Sequence, residues 1–236
     1  MSNVVEKRPG APIVQTVEPQ YQNCLDIEAR FGRATLGLMT NQVWHDDPRR
    51  LTFVLARYKF VAKMLSGRDH VLEVGCADAF GTRIVQQEVG HVTALDIDPV
   101  LIDDARKRID PEWPLDFIVH DILDTPLANE FDAAYSLDVL EHIVAEDEDQ
   151  FVSNIAASLK TSGVAIIGSP SLNSQQWASP TSKAGHINCK QAGELKSLLE
   201  RHFDNVFVFS MNDEVVHTGY YAMAHYYFAL CCGRCG

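Results

Sequence analysis

The sequence predicts an α/β protein built on a doubly wound sheet of seven strands, mostly parallel with an antiparallel last strand, and helices on both faces. Three observations predict it. Short apolar runs alternate with amphipathic segments over residues 47–202, the rhythm of parallel strands joined by crossover helices. The first of those runs ends in a glycine-containing turn, Val71-Leu-Glu-Val-Gly-Cys-Ala-Asp-Ala-Phe-Gly81. Two β-rich runs at 205–210 and 222–230 have no clear helix between them, so a hairpin breaks the alternation and reverses one strand.

In chain order, residues up to about 20 carry Pro9, Pro12 and Pro19 without periodicity and read as a loose leader. A helix is expected from Gln22, interrupted near Gly32 and Gly37. Asp47-Pro48 is a helix start, a capping side chain followed by a residue whose φ suits the first turn. Leu51, Leu55, Tyr58, Ala62 and Leu65 then recur at helical spacing until Gly67 closes the segment. Strands follow at 70–74, 92–96, 115–119, 131–137 and 163–167, with helices expected at 82–89, 98–109, 148–159 and 191–202. The division that results is a leader and lid segment over 1–46 and one domain over 47–236.

Composition sets the outer bounds. The chain has 236 residues, 46% hydrophobic and 22% charged, enough for a full core, and a net charge of -12. That balance argues against nucleic acid as a partner, since phosphate binding needs clustered Lys and Arg. No run approaches the roughly 18 apolar residues of a membrane span, so no membrane partner and a cytoplasmic location are expected. Of six cysteines, Cys231, Cys232 and Cys235 crowd the tail. Reduced thiols are expected there, and no metal is assigned.

In an open parallel sheet, ligands lie beyond the carboxyl ends of the strands. Gly75 lets a ligand approach the backbone, and the free N–H groups near Gly81 suit an anionic group. Glu73 is an acid on an apolar strand, costly to bury without a partner. Asp96, 21 residues after Gly75, ends the second strand, where a carboxylate accepts from both hydroxyls of a ribose. Asp121 follows the third strand and can accept from an adenine amino group, with Ile97 and Ile122 as apolar faces for the ring.

These residues resemble the class I S-adenosylmethionine-dependent methyltransferases. The stretch 71–81 looks like that family's glycine-rich motif, Leu95-Asp-Ile-Asp-Pro99 like its ribose-binding segment, and His120-Asp-Ile122 like its adenine-contact segment. Phe131-Asp-Ala-Ala-Tyr-Ser-Leu-Asp-Val-Leu-Glu-His142 is similar to its fourth strand and the loop that follows, and the terminal hairpin to its reversed last strand. The resemblance runs from about Asp47 onward and implies a Rossmann-like fold. It also implies S-adenosyl-L-methionine as cofactor, held by Glu73, Gly75, Cys76, Ala77, Gly81, Asp96, Ile97, Asp121, Ile122 and Ser136. The chain departs from the motif at Ala77 and Ala79, where the family often has glycine. Alanine disfavours positive φ, so a negative φ at both, or a shifted cofactor, is expected.

A hydroxyl or amine acceptor needs its proton removed, for which histidine suits neutral pH. His142 follows the fourth strand and His186 lies in the long connection after the fifth; Asp138 can polarise either or hold the acceptor. Arg57 or Lys59 could meet the methionine carboxylate, but both read more simply as surface charges of an amphipathic helix, and Tyr226, Tyr227 and Phe228 as core. The implied activity is methyl transfer to oxygen or nitrogen of a small molecule. Asn173, Gln175, Gln176 and Trp177 suggest a sugar or surface-glycan precursor, and a homodimer is compatible with the chain. A non-catalytic S-adenosylmethionine-binding partner subunit is the alternative. A nicotinamide-dependent oxidoreductase is a weaker one, because Gly-x-Gly-x-x-Gly is absent.

Overall fold

The computed structural model describes residues 14–128 and 130–235. Most of the expected leader, Pro9 and Pro12 included, lies outside the described residues. The chain divides into two units with the boundary between Thr35 and Leu36. In the first unit a single helical turn at Pro19–Tyr21 runs into α1 (Gln22–Phe31). Gly32 ends α1 at a φ of +74°, a conformation glycine adopts without a Cβ penalty.

The second unit opens with α2 (Leu38–Asp46) and α3 (Arg50–Met64). The expected start at Asp47-Pro48 becomes a lead-in turn in which the Arg50 N–H donates to the Asp47 carbonyl. Of the predicted stripe of α3, Ala62 and Leu65 are buried together with Val61 and Tyr58 packs against them, while Leu51 and Leu55 are half-buried, and Gly67 follows with φ +79°. The sheet comprises β1 (His70–Val74), β2 (His91–Asp96), β3 (Asp116–Val119), β4 (Phe131–Leu137), β5 (Leu159–Pro170), β6 (Phe203–Asn212), β7 (Val215–His217) and β8 (Tyr226–Arg234). Between them lie α4 (Thr82–Val85), α5 (Pro99–Lys107), α6 (Glu148–Ser158), α7 (Pro180–Gly185) and α8 (Ala192–Leu199).

Strand order is β3-β2-β1-β4-β5-β8-β6-β7. The first five strands are mutually parallel, and β8 slots between β5 and β6, antiparallel to both. The expected seven strands are present, and an eighth joins them. The short β7 pairs with the end of β6 across a tight turn in which Asp213 takes a φ of +49°. Three residues are too few for a periodicity to announce. The helix expected over 82–89 is only four residues long and then continues as turns. Asp98 caps α5 as expected, its side chain accepting from the Val100 N–H.

Alternation along the strands divides the core between the two faces. Leu72, Val74 and Ala134 pack with Phe151, Ile155, Leu195 and Leu199 of α6 and α8. Val71, Ala133, Tyr135 and Ile166 pack with Val61, Ala62 and Leu65 of α3. Both faces are therefore covered, and binding is left to the strand ends. The order reverses between β1 and β4, so the crevice falls at their carboxyl ends. No helix among the described residues is long and apolar enough to cross a membrane.

Candidate active site

The turn after β1 is held by its neighbour. Gly75 and Cys76 donate backbone N–H groups to the Leu95 carbonyl, each at 2.9 Å. Asp96, 8% exposed, accepts from the Ala77 N–H at 2.8 Å on one oxygen and from the Asp98 N–H at 2.9 Å on the other. The expected ribose carboxylate thus also staples the glycine-rich turn to the end of β2. Gly75 has a φ of +78°, and a Cβ there would collide with the Val139 side chain. At Gly81 a Cβ would run into the Tyr58 ring, so this glycine serves close packing between the turn and α3.

Ala77 and Ala79 have φ values of +48° and +52°. The negative φ expected of them is not what the turn adopts; it keeps the glycine-type backbone and bears the alanine strain, about 1–2 kcal/mol per residue. Asp78 in the same turn is buried, and accepts from the Thr40 N–H at 2.7 Å and the Thr40 hydroxyl at 3.1 Å. The Leu38 N–H donates to Asp104. Gly37 has no side chain to cap α2, so the carboxylates of Asp78 and Asp104 satisfy its first turn and hold this helix on the glycine-rich turn.

Several expected cofactor contacts are more enclosed than the sequence implies. Glu73 is 1% exposed, and the Thr82 hydroxyl donates to it at 2.6 Å. Burial pushes its pKa up to about 8, against the pull of Thr82 and of the Tyr135 and Tyr58 phenols. The Cys76 side chain is buried with Ala94, Ile102 and Ala105, and Ile122 belongs to the core. The Ser136 hydroxyl donates to the Val74 carbonyl at 2.8 Å, tying β4 to β1. Ile97, by contrast, is 65% exposed beside Asp96 and offers an open apolar face. Asp121 accepts from the Leu123 N–H and so fixes the turn after β3. The residues present fit a nucleoside cofactor: a carboxylate at the end of β2, an exposed Ile97 beside it, and a tight turn stapled to the end of β2.

On the other side of the crevice the structure brings His142, His186 and Asp138 together. The His142 and His186 rings stand 5.3 Å apart, edge to face. Two hydrogen bonds clamp the connection after β5 against the turn after β4. His142 Nδ1 donates to the Gly185 carbonyl at 2.8 Å, and the Asn188 N–H donates to the Glu141 carbonyl at 3.0 Å. His186 lies between these two anchors. Its Nδ1 bonds Gln175 Oε1 at 2.8 Å, while the Gln175 amide NH2 donates to the Ser171 carbonyl at 3.2 Å. Because a carbonyl can only accept, both imidazoles donate through Nδ1, which leaves Nε2 outside these two bonds. Burial, and then the neighbouring His142, lower the His186 pKa, which keeps it neutral.

Asp138 stands at a positive φ of +58° and accepts from Arg57 Nη1 on both oxygens, at 2.7 and 2.6 Å. Arg57 is not the surface charge expected: its side chain is 15% exposed and its guanidinium stacks 3.9 Å over the Tyr226 ring. Tyr226 accordingly serves both core and site. Glu141 was not singled out by sequence. It is fully buried, burial and the nearby Asp138 raise its pKa, and Oε1 has no hydrogen-bond partner. Arg57 Nε and the Tyr226 hydroxyl are likewise buried without partners. Three such atoms around one strand end are costly unless a ligand meets them. A signal for Glu141 did exist: with Asp138 and His142 it forms an i, i+3, i+4 polar set in an otherwise apolar stretch.

The polar side chains of the connection after β5 bond mostly to the protein itself. Gln176 donates to the Asn173 carbonyl and Asn173 to the Ala222 carbonyl, whereas Trp177 is 76% exposed. All six cysteines are free thiols, with Cys231 buried on β8.

Residues 72–167 match the model of a family described as methyltransferase domain. A protein of Mycolicibacterium smegmatis named "Probable S-adenosylmethionine-dependent methyltransferase" is 29% identical over 146 residues, 61% of this chain and 54% of that one. The chain thus matches about half the length of that relative. Among solved structures, the N-methyltransferase NodS from Bradyrhizobium japonicum in complex with S-adenosyl-L-homocysteine superposes with a TM-score of 0.58 at 19% identity, over 80% of this chain and 90% of that one. A possible histamine N-methyltransferase from Thermotoga maritima gives 0.63 at 15% identity, over 88% and 98%. The fold is that of the class I methyltransferases. Residues 72–167 of the chain are similar to the methyltransferase domain of that fold.

Proposed function

We propose that this protein is an S-adenosylmethionine-dependent methyltransferase that moves a methyl group to oxygen or nitrogen of a small, hydroxylated acceptor such as a sugar or glycan precursor. The observation that carries the reading is the meeting of two half-sites at the carboxyl ends of β1 and β4. Asp96, Ile97 and the 75–81 turn stand on one side, and the His142–His186 pair with Asp138 on the other. The cofactor supplies an electrophilic methyl on a sulfonium. Asp96 and Asp121 hold the nucleoside, and the 75–81 turn lies against the chain that bears the sulfonium. Methyl transfer is an in-line displacement, so alignment by the clamped loop supplies much of the acceleration. A neutral imidazole Nε2, fixed through Nδ1, takes the acceptor proton at that face. The net charge of -12 fits a small-molecule acceptor better than a nucleic acid.

Calorimetric titration with S-adenosylmethionine, S-adenosylhomocysteine and NAD tests the cofactor. A methyl-transfer screen over sugar nucleotides, phosphorylated metabolites and small phenols tests the acceptor. Heat with the first two ligands and none with NAD is expected. Tight NAD binding, or silence with S-adenosylmethionine, would overturn the reading. Cofactor binding with no transfer to any acceptor would favour a non-catalytic partner subunit.

A further inference from the structure

The acceptor side holds more ligand chemistry than one proton transfer requires. One donor atom from each of Glu141, His142 and His186 lies within 4.8 Å of the other two. A general base needs a single imidazole, yet here two stand edge to face beside a carboxylate. Each imidazole is anchored through Nδ1 to a carbonyl oxygen, of Gly185 or of the Gln175 side chain. That is how proteins orient histidines whose other nitrogen binds a metal. The carboxylate supplies a second, independent observation. Glu141 is 0% exposed, its Oε2 accepts from the Ser169 hydroxyl at 3.3 Å, and its Oε1 has no hydrogen-bond partner. Arg57 makes its ion pair with Asp138 and acts on Glu141 only through space. A buried carboxylate oxygen left bare is among the more expensive arrangements a fold can keep, and a divalent cation at the centre of the triad would remove that cost.

We propose that Glu141, His142 and His186 form a binding site for a divalent first-row transition metal, with zinc, manganese, cobalt or iron matching an imidazole–carboxylate set. Three protein ligands leave positions open, and these take an oxygen of the methyl acceptor. Metal–ligand bonds of about 2.1 Å place tetrahedral ligand atoms about 3.4 Å apart, so the triad closes by roughly an ångström when the ion enters. With the ion bound, both Nε2 atoms would be ligands, and the cation would lower the pKa of the acceptor hydroxyl so that its proton leaves to solvent water as the methyl is transferred. The role given to the open positions rests on reading this strand end as the acceptor side. The ion site itself does not.

The test uses the full chain, stripped with EDTA and titrated with manganese and with cobalt by calorimetry, the cobalt samples also followed by absorption. One ion per chain is expected, with a weak cobalt spectrum of nitrogen and oxygen ligands. His186→Ala and Glu141→Gln should each weaken binding at least tenfold. His142→Ala, at the exposed ring, provides the same test without disturbing a buried position. Absence of binding by either ion, binding unchanged in all three variants, or a strong thiolate charge-transfer band pointing to the tail cysteines would each overturn the site. S-adenosylmethionine is titrated into the same samples. Metal binding without cofactor binding would sink the methyltransferase reading and leave the metal site standing; the reverse result would do the opposite.

Discussion

Glu73 makes the protein's stability depend on pH in a direction opposite to that of most carboxylates. Its pKa is raised from 4.5 to about 8 in the folded chain because the side chain is enclosed on β1 under Tyr58 and Thr82. Between those two values the folded state binds a proton that the unfolded state has released. Stability is therefore fully present below the unfolded pKa and is lost as pH rises toward the folded one. One proton changes the folding equilibrium tenfold per pH unit, so between pH 5.5 and 7.5 this residue alone removes about 3 kcal/mol. Glu73→Gln keeps an acceptor for the Thr82 hydroxyl and has nothing to ionise. Urea unfolding, followed by tryptophan fluorescence at pH 5.5, 6.5 and 7.5, should show the variant gaining on the wild type by about that amount across the range. Every other titrating group is common to both proteins and drops out of the difference. If the two stability profiles run parallel, Glu73 is ionised in the fold and the account of its burial is wrong.

Other expectations follow from the turn and from the two half-sites. Ala77→Gly removes a side chain from a residue at φ +48° and should raise stability by about 1 kcal/mol, seen as a higher unfolding midpoint at unchanged slope; a loss would show that the turn is not strained. Gly81→Ala drives a methyl into the Tyr58 ring and should cost 1–3 kcal/mol by overpacking, measured in the same way, and a neutral result would mean the ring moves freely. Asp96→Ala should weaken S-adenosylmethionine by more than tenfold in calorimetry, and by more than His186→Ala does, since it removes the ribose acceptor and the staple on Ala77 together. His186→Ala should instead abolish most methyl transfer at nearly unchanged cofactor affinity. Intact turnover in that variant would remove His186 from the chemistry.

What the sequence allowed a reader to see, and what it hid, divides along physical lines. The alternation of strands and helices and the acids at successive strand ends are local patterns, and β1, β2, β4 and the cap at Asp98 appear where those patterns put them. The reversed β8 followed from two β-rich runs with no helix between them. Exposure at the strand ends was not legible, because a sheet covered on both faces leaves no free side for alternation to reveal. Cys76, Ile122 and Ser136 lie in the binding segments, yet their side chains are buried in packing or in a hydrogen bond to Val74. Arg57 was hidden for a different reason. It stands one residue before Tyr58 on a helix whose periodicity marks it as a flank, and only Asp138, 81 residues away, gives its charge a reason to be buried.

That pairing also explains why the acceptor side was harder to read than the cofactor side. The cofactor side is made by consecutive segments, β1 with its turn and β2 with its end, each carrying its own local signal. The acceptor side is assembled from the turn after β4, the connection after β5, α3 and β8, and no one of these states its part alone. Gln175 reads as a polar loop residue until its amide is seen to set the His186 ring. Glu141 reads as a helix-turn acid until its oxygen is found buried and bare. Arg57 makes its ion pair with Asp138 and not with Glu141, so the fold places one paired carboxyl group and one with a bare oxygen a few residues apart. A site needing only a proton acceptor would have no use for the second, which makes Glu141→Gln the most discriminating substitution in the molecule. Loss of metal binding with cofactor affinity retained would assign Glu141 to the cation; unchanged metal binding would return it to structure.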